Sequence, residues 1–198
     1  MYKTKEIRWF FDNDNQHIRE WFKQPNLNFD CSEERRDLYL NCKSKRFNIK
    51  LRDNRIEIKQ RESCPIGRTN LYTAFGYSEK WMKWSFSLQD TQAEYAQLSE
   101  LKKNEWVEVA KNRLTLTFVD VNGKLEIKQT AEGVESGCQI EYSKVAVKNK
   151  ISYTLGFEWF GKEKVFLDDA LLCAIFGDTK LTLNQSMGYA EFLKRKEL

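Results

Sequence analysis

Lysine and arginine recur at alternate positions through FNIKLRDNRIEIKQRE, residues 47–62. Lys50 and Arg52 precede the polar pair Asp53-Asn54, and Arg55, Lys59 and Arg61 follow it, with Glu57 as the one acid among them. Arginine offers forked donors that match phosphate oxygens and lysine adds point charge, so several of each can hold a triphosphate. Lys111, Arg113 and Lys128 repeat the theme further on, and Arg8 introduces it. A minority of acids, Glu6, Glu57, Glu126, Glu141 and Glu158, shares the same spacing. Clustered carboxylates suit Mg²⁺ or Mn²⁺, which take oxygen ligands and bridge carboxylate to phosphate. Such an ion would polarise the scissile phosphoryl group and position a water, with no covalent nucleophile required.

The elements that must position these groups read as strands. Residues 47–52 and 55–61 alternate with period two about a two-residue link, which predicts a hairpin with 52 facing 55 and 50 facing 57. Leu51 and the isoleucines then share one face, and the basic residues share the other. Tyr2–Phe11 predicts a first strand, with Thr4, Glu6 and Arg8 opposite Ile7, Trp9 and Phe11. A short helix is expected over Gln16–Lys23, loop over 25–36, a second strand over Asp37–Cys42, and a loop with Pro65, Gly67 and Gly76 over 63–79. Lys80–Leu88 alternates, and Asp90 is placed to cap an amphipathic helix carrying Tyr95, Leu98 and Leu101.

A strand from Trp106 is expected to meet an irregularity near Ala110 before Lys111–Val119 alternates again. Asn122-Gly123 is the strongest short hairpin signal in the chain and places Glu126 and Lys128 on the face of Lys111 and Arg113. Cys138–Val147 puts Gln139, Glu141 and Ser143 on one face, and Ile151–Phe160 does the same for Ser152, Thr154 and Glu158. Val165–Phe176, apolar almost all round and stopped by Gly177, predicts a buried helix, and Tyr189–Lys196 a closing one.

Almost every strand therefore has one oily face and one charged face. In an antiparallel sheet a charged face is ordinarily the wet one. Here the polar faces are arginine- and lysine-rich rather than mixed, and the aromatic faces need cover. Both features predict an α+β fold: an antiparallel β-barrel, or tunnel, with a charged interior, covered by helices. One domain is expected over 1–198.

Composition narrows the classes. The net charge of +4 suits an anionic small ligand as readily as nucleic acid. Aromatics fall on the apolar faces rather than among the basic residues, unlike a base-stacking platform, so nucleic acid is not the expected partner. No apolar run reaches membrane-spanning length and the N-terminus MYKTKEIRWFF lacks a signal-peptide pattern, which predicts a cytoplasmic protein with no membrane partner. The five cysteines are odd in number and form no Cys-x-x-Cys pair, and His17 is the only histidine, so reduced buried thiols are expected and a zinc site is not.

The order of these elements resembles the CYTH group, the triphosphate tunnel metalloenzymes. Its opening Glu-x-Glu-x-Lys is similar to Thr4-Lys5-Glu6-Ile7-Arg8, its Arg-x-Arg with a following Lys to Lys50-Leu51-Arg52 and Lys59, and its later Lys-x-Arg to Lys111-Asn112-Arg113. Glu126, Glu141 and Glu158 resemble its late acidic positions, and Ser186-Met187-Gly188-Tyr189 its C-terminal Ser-Tyr element. The resemblance implies metal-dependent hydrolysis of a small triphosphate or polyphosphate, with a nucleotide cyclase reaction as a lesser option. Glu6, Glu141 and Glu158 would be catalytic and, with Glu126, would hold Mg²⁺ or Mn²⁺. Arg8, Lys50, Arg52, Lys59, Arg61, Lys111, Arg113 and Lys128 would bind substrate. Thr4 stands where the family has its first glutamate, Gln139 provides no acidic partner for Glu141, and Arg8 and Lys50 change the donor geometry. Those departures point to an alternative, a non-catalytic binder of a phosphorylated ligand, polyphosphate or nucleotide.

Overall fold

The computed structural model describes residues 1–24, 30, 32–42, 44–62, 67–87 and 105–197. The expected helix behind Asp90 and the end of its preceding strand at Leu88 lie outside the described residues. Strands β1 (Tyr2–Phe11), β2 (Ser32–Leu40), β3 (Phe47–Arg52), β4 (Arg55–Arg61), β5 (Gly67–Leu71), β6 (Ala74–Ser87), β7 (Trp106–Val121), β8 (Lys124–Lys128), β9 (Gly137–Val147) and β10 (Lys150–Phe160) form one antiparallel sheet. Eight of them close into a barrel in the order β1-β10-β9-β7-β2-β3-β4-β6, and β6 pairs back onto β1. β5 hangs on β6 and β8 on β7. Among the described residues three α-helices join the sheet: α1 (Gln16–Trp21), α2 (Asp169–Phe176) and α3 (Tyr189–Glu197).

Two hairpins form as their sequences dictate. Asp53 and Asn54 both take positive φ, as do Asn122 and Gly123, the twist-matched geometry of a two-residue link. Arg52 then pairs with Arg55, Lys50 with Glu57, and Val121 with Lys124.

The barrel is built inside out. Outward-facing Ile7, Trp9, Leu116, Phe118, Ile140, Leu155 and Phe157 pack beneath Ile18 and Trp21 of α1 and Leu172, Ile175 and Phe176 of α2. Trp9 is completely buried and donates from Nε1 to the Phe75 carbonyl at 2.8 Å. A second apolar cluster lies inside, where Phe10, Tyr39, Val107, Val109, Val145 and Val147 meet Tyr189, Phe192 and Leu193 of α3. Phe192 stacks on Phe10 with ring centres 3.9 Å apart. The C-terminal helix thus floors the barrel, and the interior is a cup.

Four expectations about the elements need correction. The second strand starts at Ser32, within the stretch expected to be loop, and ends at Leu40. The expected loop over 63–79 carries β5 and the first turn-and-strand of β6. β7 runs through Ala110 without a break, in register with both Arg36 and Ala146. The buried helix is shorter than expected, starting after an Asp168 cap, and it buries one face while Cys173 and Ala174 remain exposed. The described thiols divide likewise: Cys138 is buried, Cys42 half-buried and Cys173 exposed, while Cys31 and Cys64 lie outside the described residues.

Candidate functional site

Alternation along β1, β2, β3, β4, β6, β7, β9 and β10 turns one side chain in two toward the axis. Above the apolar floor these inward positions are charged, and they surround a cavity of about 580 Å³. Among the described residues eight lysines and arginines line it: Arg8 (β1), Arg35 (β2), Lys50 and Arg52 (β3), Lys59 (β4), Lys83 (β6), Lys111 and Arg113 (β7). Glu6, Glu33, Glu57, Glu132, Glu141 and Glu158 line it too, with Trp81, Tyr39 and Tyr189 among the uncharged groups.

The charges are arranged as pairs and forks. Glu141 accepts from Arg8 at 2.8 Å and from Arg113 at 2.6 Å, and Glu6 accepts from Arg8 at 2.7 Å. Lys59 is shared between Glu158 at 2.9 Å and Glu6 at 3.3 Å. Glu57 meets Lys50 at 2.9 Å, Lys83 at 3.3 Å and the Arg52 guanidinium. Arg113 also reaches Glu33. Near the floor, Lys111 donates to Asp37 at 2.9 Å and to the Tyr39 hydroxyl at 2.7 Å, and its ammonium lies 4.1 Å from the centre of the Tyr189 ring.

One glycine makes the Arg8 fork possible. On the sheet, Gly156 stands between Arg8 and Glu141, paired with each across β1 and β9. A methyl at Gly156 would come within 2.5 Å of the guanidinium carbon. Arg8 therefore crosses bare backbone to reach its carboxylate.

Burial in a low-dielectric wall raises the stakes of each pairing. Burial alone would raise Glu57 and Glu158, but the facing cations, Lys50 first for Glu57 and Lys59 first for Glu158, bring each down to about 2. Glu141 is held well below the carboxylate range by Arg113 and Arg8 against the same burial penalty. The lysines divide. Lys59 is raised because Glu158 and Glu6 outweigh its desolvation. For Lys111 burial wins over Asp37 and lowers it to about 8, and Lys50 is lowered well below its ordinary value for the same reason.

Of the residues nominated from sequence, the cavity brings together Glu6, Arg8, Lys50, Arg52, Lys59, Lys111, Arg113, Glu141 and Glu158. Arg61 points inward but turns to buried Glu79 at 2.7 Å and does not line the cavity. Glu126 and Lys128 lie outside it as well. Their register on β8 is as expected, but the β7–β8 hairpin projects past the rim, and the two half-exposed side chains pair with each other at 3.0 Å. His17 is exposed on α1, 3.1 Å from the Ala174 carbonyl oxygen.

Arg35, Glu33, Asp37 and Lys83 were not foreseen. The first three lie on a strand stretch, Ser-Glu-Glu-Arg-Arg-Asp, that has no apolar residue on either face, so alternation of hydrophobicity could not announce it. Lys83 alternates visibly with Met82 and Trp84 but belongs to no basic run.

A divalent ion does not fit these residues as arranged. Among the described residues no three Asp, Glu, His or Cys side chains form a metal-holding group. Both oxygens of Glu6 and both of Glu141 are already turned to lysine or arginine. Carboxylates spent on cations do not offer an open oxygen shell.

No protein-family model matches the chain, and no curated protein matches it. Among the described residues no helix is long and apolar enough to cross a membrane.

Proposed function

We propose that the cup binds a compact polyanion, a small triphosphate or a short polyphosphate chain, without requiring a metal. The observation that carries this reading is the convergence of eight lysine and arginine side chains, from six strands, on one floored cavity. Small barrels ordinarily fill their interiors with aliphatic side chains. Burying charges instead costs several kcal/mol per ion before pairing offsets it, so a merely structural interior has no need of them. The cavity volume falls within the range of about 300–1,000 Å³ usual for small-ligand sites. The order of basic strand elements, which resembles the triphosphate tunnel metalloenzymes, supports a phosphate chain over other anions.

Metal-dependent hydrolysis is the second reading, favoured by the placement of Glu6, Glu141 and Glu158 in the same cavity as the bases. It needs those carboxylates to leave their cation partners when ligand and metal enter together.

Calorimetric titration of chelator-treated protein with tripolyphosphate separates the two. We expect metal-independent binding, weakened about tenfold or more by Arg113→Met, since a close charge–anion contact contributes on this scale. Absence of binding to the wild-type chain would overturn the proposal. Phosphate release with Mg²⁺ or Mn²⁺, abolished by Glu6→Ala, would establish the hydrolase instead.

A further inference from the structure

Charge is spread unevenly around the cup. Lys59 on β4 is divided between two carboxylates, and Arg113 on β7 between Glu141 and Glu33. Two residues before Lys59 on the same strand, three cations from β3 and β6 converge on a single carboxylate, Glu57, which is 3% exposed. Arg52 and Lys83 stand in front of it and are more open to the cavity, with side chains 21% and 16% exposed. Lys50, Arg52 and Lys83 thus form a lobe with one buried carboxylate at its centre, and Arg52 also lies 3.6 Å from exposed Asp53.

The Glu57 Oε2 lies 2.9 Å from the Lys50 ammonium and 3.3 Å from that of Lys83. An ammonium carries three rotatable N–H donors, so each lysine keeps donors beyond the one it turns to this oxygen. A tetrahedral phosphate, with oxygens pointing several ways, matches three cations converging from two strands better than a planar carboxylate does.

We propose that Glu57 is a resident counter-anion in the lobe formed by Lys50, Arg52 and Lys83, and that an incoming phosphate group competes with it for these cations. Glu57 holds the three like charges together while the cup is empty of ligand. It also subtracts from the attraction the lobe exerts on any anion, and so sets how much charge a ligand must carry to bind. Because its cation partners keep it ionised down to about pH 2, the competition persists at every physiological pH. A singly or doubly charged phosphate is then a poor competitor, and a longer, more highly charged chain a good one. This assignment rests on the polyanion reading above and locates its phosphate subsite.

Titration of the metal-free wild-type chain, Glu57→Gln and Glu57→Asp with pyrophosphate and tripolyphosphate tests it. Glu57→Gln keeps the shape and removes the charge, and we expect it to bind both anions about tenfold or more tightly than the wild type, as removal of a like charge at contact distance should give. Glu57→Asp withdraws the carboxylate by one methylene and should move affinity in the same direction by less. It decides the question if Glu57→Gln, left with three unneutralised cations, fails to fold. Wild-type binding with variants that bind equally or more weakly would overturn the role of Glu57 and leave the polyanion reading standing. No binding of tripolyphosphate by the wild type or either variant would overturn both.

Discussion

Lys111 shows most plainly what the inverted barrel asks of a single residue. It is 2% exposed, and around its ammonium stand Asp37, the Tyr39 hydroxyl, the Tyr189 ring, Glu141 and Arg35. Burial outweighs the carboxylates and brings the group to about 8 from an ordinary 10.5. Between those two values the unfolded chain binds a proton at this site that the folded chain does not. Its contribution to stability therefore rises with pH across the window from about 8 to 10.5, by up to about 3 kcal/mol. Lys50, depressed by the same cause, adds to the rise, whereas Cys138, Tyr39 and Tyr189, which burial keeps protonated, pull the other way. The readout is the difference: between about pH 8 and 10 the denaturant midpoint should change more favourably in the wild type than in Lys111→Met. Equal slopes in the two proteins would show that Lys111 stays charged when buried. The sequence announced that Lys111 belongs with Arg113 and Arg8. It could not announce that Asp37 neutralises it, because that partner lies 74 residues away on a strand without an apolar face.

At the scale of elements, legibility followed the hydrophobic contrast between faces. β1, β3, β4, β9 and β10 separate oily from charged positions over most of their length, until Phe10, Val145 and Val147 reach the floor, and their bounds match the expectation to within a residue or two. β7 has the same contrast but changes what its inner face carries. Val107 and Val109 belong to the apolar floor, whereas Lys111 and Arg113, in the same phase, belong to the cup above it. In sequence the apolar residues switch to the other face at Ala110, although the strand pairing runs on unbroken. β5 was hidden by its turn, where Tyr72 rather than glycine or asparagine takes the positive φ. The closing helix was legible, but its task was not: α3 floors the barrel through Tyr189, Phe192 and Leu193. Phe192 is 3% exposed and stacked on Phe10, so Phe192→Ala should cost about 3–5 kcal/mol, the usual range for removing a core phenylalanine. Chemical denaturation would check this, and a loss below 1 kcal/mol would mean the helix is not what closes the floor.

For the molecule as a whole, closure of the barrel is uneven. β9 and β10 pair continuously from Val147 and Lys150 to Gly137 and Phe160, and β7 follows β9 with similar continuity. β2 and β3, by contrast, are registered at Leu38 with Leu51 and at Tyr39 with Lys50, and nowhere else among the described residues. The antiparallel register puts Asp37 level with Arg52, so 32–36 bond to β7 on one side and run past the end of β3 on the other. This seam is where the barrel has the fewest backbone bonds to break, so local opening should start there. Its two lips carry Arg35 on β2 and Lys50 and Arg52 on β3, all facing the cup. An anion held between them would add a bridge across the gap that the backbone does not supply. Hydrogen exchange followed by mass spectrometry should accordingly find 32–37 and 47–52 exchanging well ahead of 138–147 and 151–160 in the free protein. On adding tripolyphosphate, protection should increase first along those two lips and leave β9 and β10 unchanged. Protection spread evenly over all strands would indicate that ligand stabilises the fold globally, and that the seam takes no special part in holding it.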